Sequence, residues 1–217
     1  MTKTKTALIL YGGWEGHQPT ETTGFFKREL EDRGFSVSLT EDLAALEEEE
    51  SLQGYDLIIP NWTMGKISNP QAKGFERAIE AGSGLAGWHG GMGDAFRGCT
   101  RFLFMTGGQF VAHPGNVVKY SVNIVDHDHP VTQGLGDFEM ESEQYYLHTD
   151  PANHVLATSI VTGIGAPWVK GVVMPVVWTR KHGEGKVFYC ALGHRLEDFE
   201  VPECRAIISR GLAWAAR

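Results

Sequence analysis

The segment Gly84–Gly91, GLAGWHGG, decides how this chain is read. Its apolar run up to Trp88 has the length and bounding glycines of a buried strand. The small residues around His89 then give GWHGG the outline of a G-x-nucleophile-x-G turn. In such a turn a strand passes sharply into a helix and one side chain stands exposed at the carboxyl edge of a sheet. Here that side chain is an imidazole. It suits a general base, an electrophilic hydrogen-bond donor or a metal ligand better than the usual Ser or Cys nucleophile. The plain alternative is a glycine-rich turn with an incidental histidine.

Working outward, the first half alternates apolar runs with helical patterns, as a parallel α/β sheet covered on both faces requires. TALILYGG (Thr6–Gly13) reads as the first strand. A helix follows over PTETTGFFKRELEDRG, with Phe26 and Leu30 on one face, Thr20 or Thr22 as N-cap and Gly34 as its stop. FSVSLTED alternates as a second strand, and YDLIIPNW is apolar enough for a strand buried on both sides. Asn69 then Pro70 open a helix that buries Phe75 and Ile79 and closes at Gly82. GDAFRGCTRFLFMTGG reads as one short helix beyond the His89 turn.

The second half changes character. NVVKYSVNIVD, HVLATSIV, VVMPVVW and KVFYCALG are strand-like with little room between them for crossover helices, so hairpins are expected, RKHGEGK forming one turn. VPECRAIISRGLAWAAR closes the chain as a helix with Cys204, Ile208 and Leu212 inward. No repeat, low-complexity tract or linker divides residues 1–217, which read as a single domain.

The chain has 217 residues, 42% hydrophobic and 21% charged, as expected of a soluble globular protein. A formal charge of −8 without a Lys/Arg cluster argues against a nucleic-acid partner. The acidic run Glu47–Glu50 reads as a solvated helix face or loop. Three scattered cysteines, Cys99, Cys190 and Cys204, form no C-x-x-C pair and fit a reducing compartment. The apolar run after the basic lead-in spans only Ala7–Tyr11, too short for a signal-peptide core or a membrane span, so a cytoplasmic location is expected.

Ligands of open α/β sheets sit outside the carboxyl ends of the strands. His17 in YGGWEGH, His113 in GGQFVAHPG, and His194 in CALGH fall at such places beside His89, and Glu143 in ESEQYY adds a carboxylate. Imidazoles with one carboxylate suit a divalent metal such as zinc, and equally a sugar pocket of donors and acceptors. No H-E-x-x-H or similar short-range pair favours the metal. His127 and His129 read as a polar strand end turning at Pro130, and His148, His154 and His182 as surface or packing residues. Trp14, Trp62, Trp88 and Trp168 lie near strand ends or loops, where indoles either stack on sugars or fill cores. Trp14, Trp62, Trp88 and Gln109 are the substrate-binding candidates beside His17. YGGWEGH fits neither the P-loop nor the dinucleotide pattern, so no nucleotide cofactor is expected.

YGGWEGH, GLAGWHGG, GGQFVAHPG, DHPVTQGL, ESEQYY and VFYCALGH, in this order and over nearly the whole chain, resemble the ThuA-like (trehalose utilisation) family. That family is similar to the class I glutamine amidotransferase-like superfamily. The resemblance implies a flavodoxin-like three-layer sandwich with a mostly parallel central sheet. It also implies a role in the catabolism of trehalose, other disaccharides or their keto-derivatives; the expected enzyme is a sugar or keto-sugar hydrolase, lyase or isomerase with a His-rich site. His89 stands where a glutaminase would carry Cys, so thiolate hydrolysis of glutamine is not expected. The site residues carried over are His17, His89, His113, Glu143 and His194, all as metal ligands. His89 and His194 are expected to flank the reacting carbon, with Glu143 as base or metal ligand. The alternative is a non-catalytic sugar-binding or sensor module on the same fold. A chain this short leaves a pocket wall that a homo-oligomer could complete.

Overall fold

The computed structural model describes residues 4–217; residues 1–3, the start of the basic lead-in, lie outside it. The chain runs through β1 (Thr6–Gly13), α1 (Pro19–Asp32), β2 (Ser36–Thr40), α2 (Glu49–Gln53), β3 (Leu57–Thr63), α3 (Asn69–Glu80), β4 (Gly84–Trp88), α4 (His89–Gly93) and α5 (Thr100–Thr106). Then follow β5 (Gly108–Ala112), β6 (Val117–Ile124), β7 (Phe138–Glu143), β8 (Tyr146–Thr149), β9 (His154–Ile160), β10 (Val173–His182), β11 (Gly185–Cys190) and α6 (Pro202–Ala215).

Nine strands form one sheet in the order β2-β1-β3-β4-β11-β10-β9-β6-β7, and β5 pairs with β8 separately. The pairings from β2 across to β11 are parallel, and those from β11 to β7 antiparallel. The expected parallel α/β layer and the expected hairpins are therefore two halves of a single sheet. α1 and α6 cover one face and α3 with α5 the other, giving the expected three layers. β3 and β4 are almost wholly buried, which accounts for their unbroken apolar runs.

β3 pairs with β4 only at Leu57 and Ile58. Two residues later stands Pro60, which has no N–H to give a ladder. Beyond that point the strands separate, and α4 packs against β3. A Cβ on Gly91 would collide with Asn61 Oδ1, so this glycine is required by close approach as well as by the turn.

Some boundaries differ from the expected ones. Pro19 starts α1, with Gln18 at the N-cap in left-handed geometry (φ 49°), while Thr22 is buried and donates its hydroxyl to the Gln18 carbonyl. The cap of α3 is Ser68, in a capping box with Gln71, one residue before Asn69. The helix expected across residues 93–108 is confined to α5 (Thr100–Thr106), which a turn containing Gly98 separates from α4. β5, β7 and β8 had no counterpart in the sequence reading. In β7 the inward Phe138, Met140 and Ser142 alternate with outward Glu139 and Glu141, and those acidic residues disguise a half-buried edge strand.

Candidate functional site

Strand order reverses between β1 and β3, the place where a crevice opens at the carboxyl edge. Gly13 (φ 85°) lets β1 lie directly on Thr63, and the Trp14 N–H donates to the Thr63 carbonyl at 3.2 Å. A single turn, Glu15–His17, brings His17 back over this rim, its Nδ1 2.8 Å from Thr63 Oγ1.

His89 begins α4 with φ 43°, a left-handed conformation uncommon for a side chain other than glycine. The turn outlined in the sequence is therefore present, and its strain is held by neighbours. The Tyr189 hydroxyl donates to the His89 carbonyl at 3.1 Å, and the Tyr145 ring lies against the imidazole at 3.9 Å between centroids. His194 follows β11 after Gly193 (φ 95°); its backbone N–H donates to Asp198 at 2.7 Å, and Ser142 Oγ donates to the same carboxylate.

These turns aim three imidazole nitrogens at one oxygen. Glu143 Oε2 lies 3.1 Å from His89 Nε2, 3.4 Å from His194 Nδ1 and 3.9 Å from His17 Nε2. Oε1 lies 3.7 Å from His113 Nε2. One ligand atom from each of His17, His89, Glu143 and His194 falls within 4.8 Å of all the others.

Protons do not satisfy this cluster. His89 Nδ1 is 2.9 Å from the Ala191 carbonyl and Nε2 faces the carboxylate, so both contacts are hydrogen bonds only for the imidazolium. Burial opposes that form and pushes His89 down to about 3. A neutral His89 gives its proton to one oxygen and turns a lone pair on the other. His194 Nδ1 is buried without a hydrogen-bond partner, and burial again, ahead of the surrounding charges, pushes this group down to about 4. For Glu143 burial acts upward, but the contacts with His17 and His89, the latter at hydrogen-bond distance, outweigh it and hold the carboxyl well below the usual range. Imidazole nitrogens converging on a carboxylate, once neutral, are the donor set of a borderline divalent cation, and zinc-class ions fit imidazole and carboxylate together.

Above the cluster lies a cavity of about 210 Å³. Trp14, Phe110 and Tyr145 wall it, His17, His113 and Glu143 face into it, and Arg97 stands on its rim with Nε 2.7 Å from Asp94 Oδ1.

The sequence profile of the ThuA family, described as trehalose utilisation, matches residues 6–215. The chain belongs to the ThuA family. That membership supports a carbohydrate-related role. Among solved structures it resembles a ThuA-like protein from Bacteroides uniformis at 23% identity and a TM-score of 0.81, over 98% of this chain and 91% of the other. A ThuA-like protein from Parabacteroides merdae aligns at 18% identity and a TM-score of 0.78, over 98% and 90%. A β-galactosidase from Bacillus circulans aligns at 17% identity and 0.59, over 98% of this chain but 30% of its own. At these identities the likeness concerns the fold. No curated protein matches the chain significantly.

Within this ThuA chain, His17, His89, Glu143 and His194 meet as expected from the order of the motifs. Several other expectations are corrected. His89 and His194, expected to flank the reacting carbon, are only 1% and 4% exposed and lie outside the cavity lining, on the far side of Glu143. His113 stands apart from the four-residue group, half-buried at the other carboxylate oxygen. Trp88 is core: it is 2% exposed, with Phe26 and Phe199 against its ring, because the alternation of β4 turns it under α1. Trp62 packs over Gly12 and Gly65 and does not line the cavity. Gln109 neighbours Phe110 on β5 and so projects to the opposite face. Trp14 does line the cavity, its ring edge-on to His17 at 4.8 Å.

The sequence reading passed over Thr63, Asp94, Arg97, Phe110, Tyr145 and Asp198. Thr63 was within reach of the strand-end rule, since it closes β3 at the same edge. Arg97 and Asp198 carried no signal, because loop geometry alone brings them to the site. Cys190 is buried, its thiol pushed up to about 12 by that burial, which leaves no thiolate near the turn. No described helix is long and apolar enough to cross a membrane.

Proposed function

We propose that this ThuA chain is a metal-assisted enzyme acting on a disaccharide or keto-sugar. The observation that carries the reading is the convergence of three imidazole nitrogens on one Glu143 oxygen at the floor of a small cavity. A divalent ion of the zinc class, held by His17, His89, His194 and Glu143, would supply a Lewis acid beside a sugar oxygen.

The chain's own groups do the rest. Trp14, Phe110 and Tyr145 offer apolar ring faces to the C–H surface of a sugar and keep water from the floor. Arg97, fixed by Asp94, donates hydrogen bonds to hydroxyls at the rim. His113 faces the cavity with Nε2 beside Glu143 Oε1, where it can give or take the proton of the reacting oxygen. Space for one ring is about right, because 210 Å³ is below the ~300–1,000 Å³ of drug-sized pockets. A neighbouring cleft of about 490 Å³ shares Met64 and Arg97 with the cavity and accommodates the second half of a disaccharide.

The test is metal analysis of purified protein followed by product analysis on a panel of disaccharides and keto-sugars. Wild type should hold one equivalent of a divalent metal at this cluster and turn over at least one substrate. Glu143→Gln should lose both, turnover by roughly 100-fold or more. Metal-free protein that binds a disaccharide and leaves it intact would replace the enzyme with a binding module.

A further inference from the structure

At the opposite rim of the sheet from the cavity, the β10–β11 hairpin docks on the end of α3. Gly183 (φ 58°) lies against the Glu80 backbone so closely that a Cβ there would clash, and the Glu184 N–H donates to the Glu80 carbonyl at 3.0 Å. Beside this contact His182, the last residue of β10, meets Glu76 and Glu80, which are four apart on α3 and so share one face. His182 Nε2 is buried and has no hydrogen-bond partner; it lies 3.9 Å from Glu76 Oε1 and 3.9 Å from Glu80 Oε1. Arg101 pairs with the other oxygen of Glu76, and Arg77 is drawn away to Glu49 at 3.1 Å. Glu76 Oε1 and the Glu80 carboxylate are thus left to face His182 near the C-terminal end of the helix, where the backbone dipole favours a cation.

We propose that Glu76, Glu80 and His182 bind a divalent transition ion of the zinc class, which clips the β10–β11 hairpin to α3. Separations of 3.9 Å are too long for hydrogen bonds, yet shorter than two metal–ligand bonds of about 2.0–2.2 Å laid end to end. The three atoms lie within 4.8 Å of one another, so small side-chain rotations of the two glutamates bring all three to bonding distance of one ion. One imidazole with two carboxylates selects zinc-like ions over calcium and magnesium, whose shells are built from oxygen. Glu80 is half exposed, so solvent can complete the coordination. Because the ligands come from two elements, binding stabilises only the docked arrangement. The inference is independent of the sugar chemistry.

The test uses the full chain, stripped with chelator and titrated with zinc alone, comparing wild type with Glu80→Gln and His182→Gln. Each variant should bind one equivalent fewer than wild type. Zinc should slow amide exchange at Gly183 and Glu184 in wild type and leave both variants unchanged there. If circular dichroism shows His182→Gln unfolded, the solvent-facing Glu80→Gln decides alone. Equal stoichiometry in wild type and Glu80→Gln, or equal protection of the hairpin by calcium, would overturn the assignment.

Discussion

Acid should destabilise the metal-free protein mainly through its two most buried imidazoles, and the size of the effect follows from their environments. His89 and His194 have an ordinary value of 6.5 when unfolded, and burial holds them near 3 and 4 in the fold. Both folded values are depressed, so the unfolded chain binds the protons first. The stability these groups contribute is complete above about pH 6.5 and is lost as the pH falls toward the folded values. Each proton costs about 1.4 kcal/mol per pH unit once the window is entered. Between pH 7 and 5 that integrates to about 2 kcal/mol per imidazole, or about 4 kcal/mol together. This is a large part of the ~5–15 kcal/mol that holds a typical domain folded. The assay is urea unfolding in chelator at pH 7, 6 and 5. His89→Asn, which tolerates the left-handed backbone at this position, should reduce the pH-dependent loss by about half whatever it does to the absolute stability. An identical loss in wild type and variant would show that the folded state already carries the proton at His89, and the argument for a cation among these lone pairs would fail with it.

Thr63→Val keeps the volume but removes the hydroxyl that orients His17 through Nδ1; zinc affinity at the cavity cluster should fall about 10–100-fold in a competition titration, with folding intact. Unchanged affinity would mean that the His17 ring is held by Trp14 alone. Trp88→Ala should cost about 3–5 kcal/mol in urea unfolding, as expected for a core indole, and leave the sugar affinity of the folded protein unaltered. Weaker sugar binding at full stability would return Trp88 to the site.

Much of the site was legible because its parts occupy positions with a physical rule behind them. His17, His89 and His194 each follow a strand of the parallel half, and a turn too small for other side chains announces His89. Glu143 was singled out by its carboxylate among aromatics, although the strand that carries it, β7, was not recognised. Local signals failed where the deciding contacts are remote. Arg97 reaches the cavity because a turn interrupts the expected helix, and Asp198 holds His194 from a turn that the sequence marks only with charge.

By itself the sequence determined the alternation of buried strands and amphipathic helices, the glycine turns and the chemical types at the strand ends, since these depend on periodicity and on which backbone angles each residue tolerates. Only the tertiary structure decided that His89 and His194 stand behind Glu143, that His113 faces the cavity and that Trp88 belongs to the core. Direction and burial of a side chain are set by which elements pack above it, and α1, β5 and β8 arrive from distant parts of the chain.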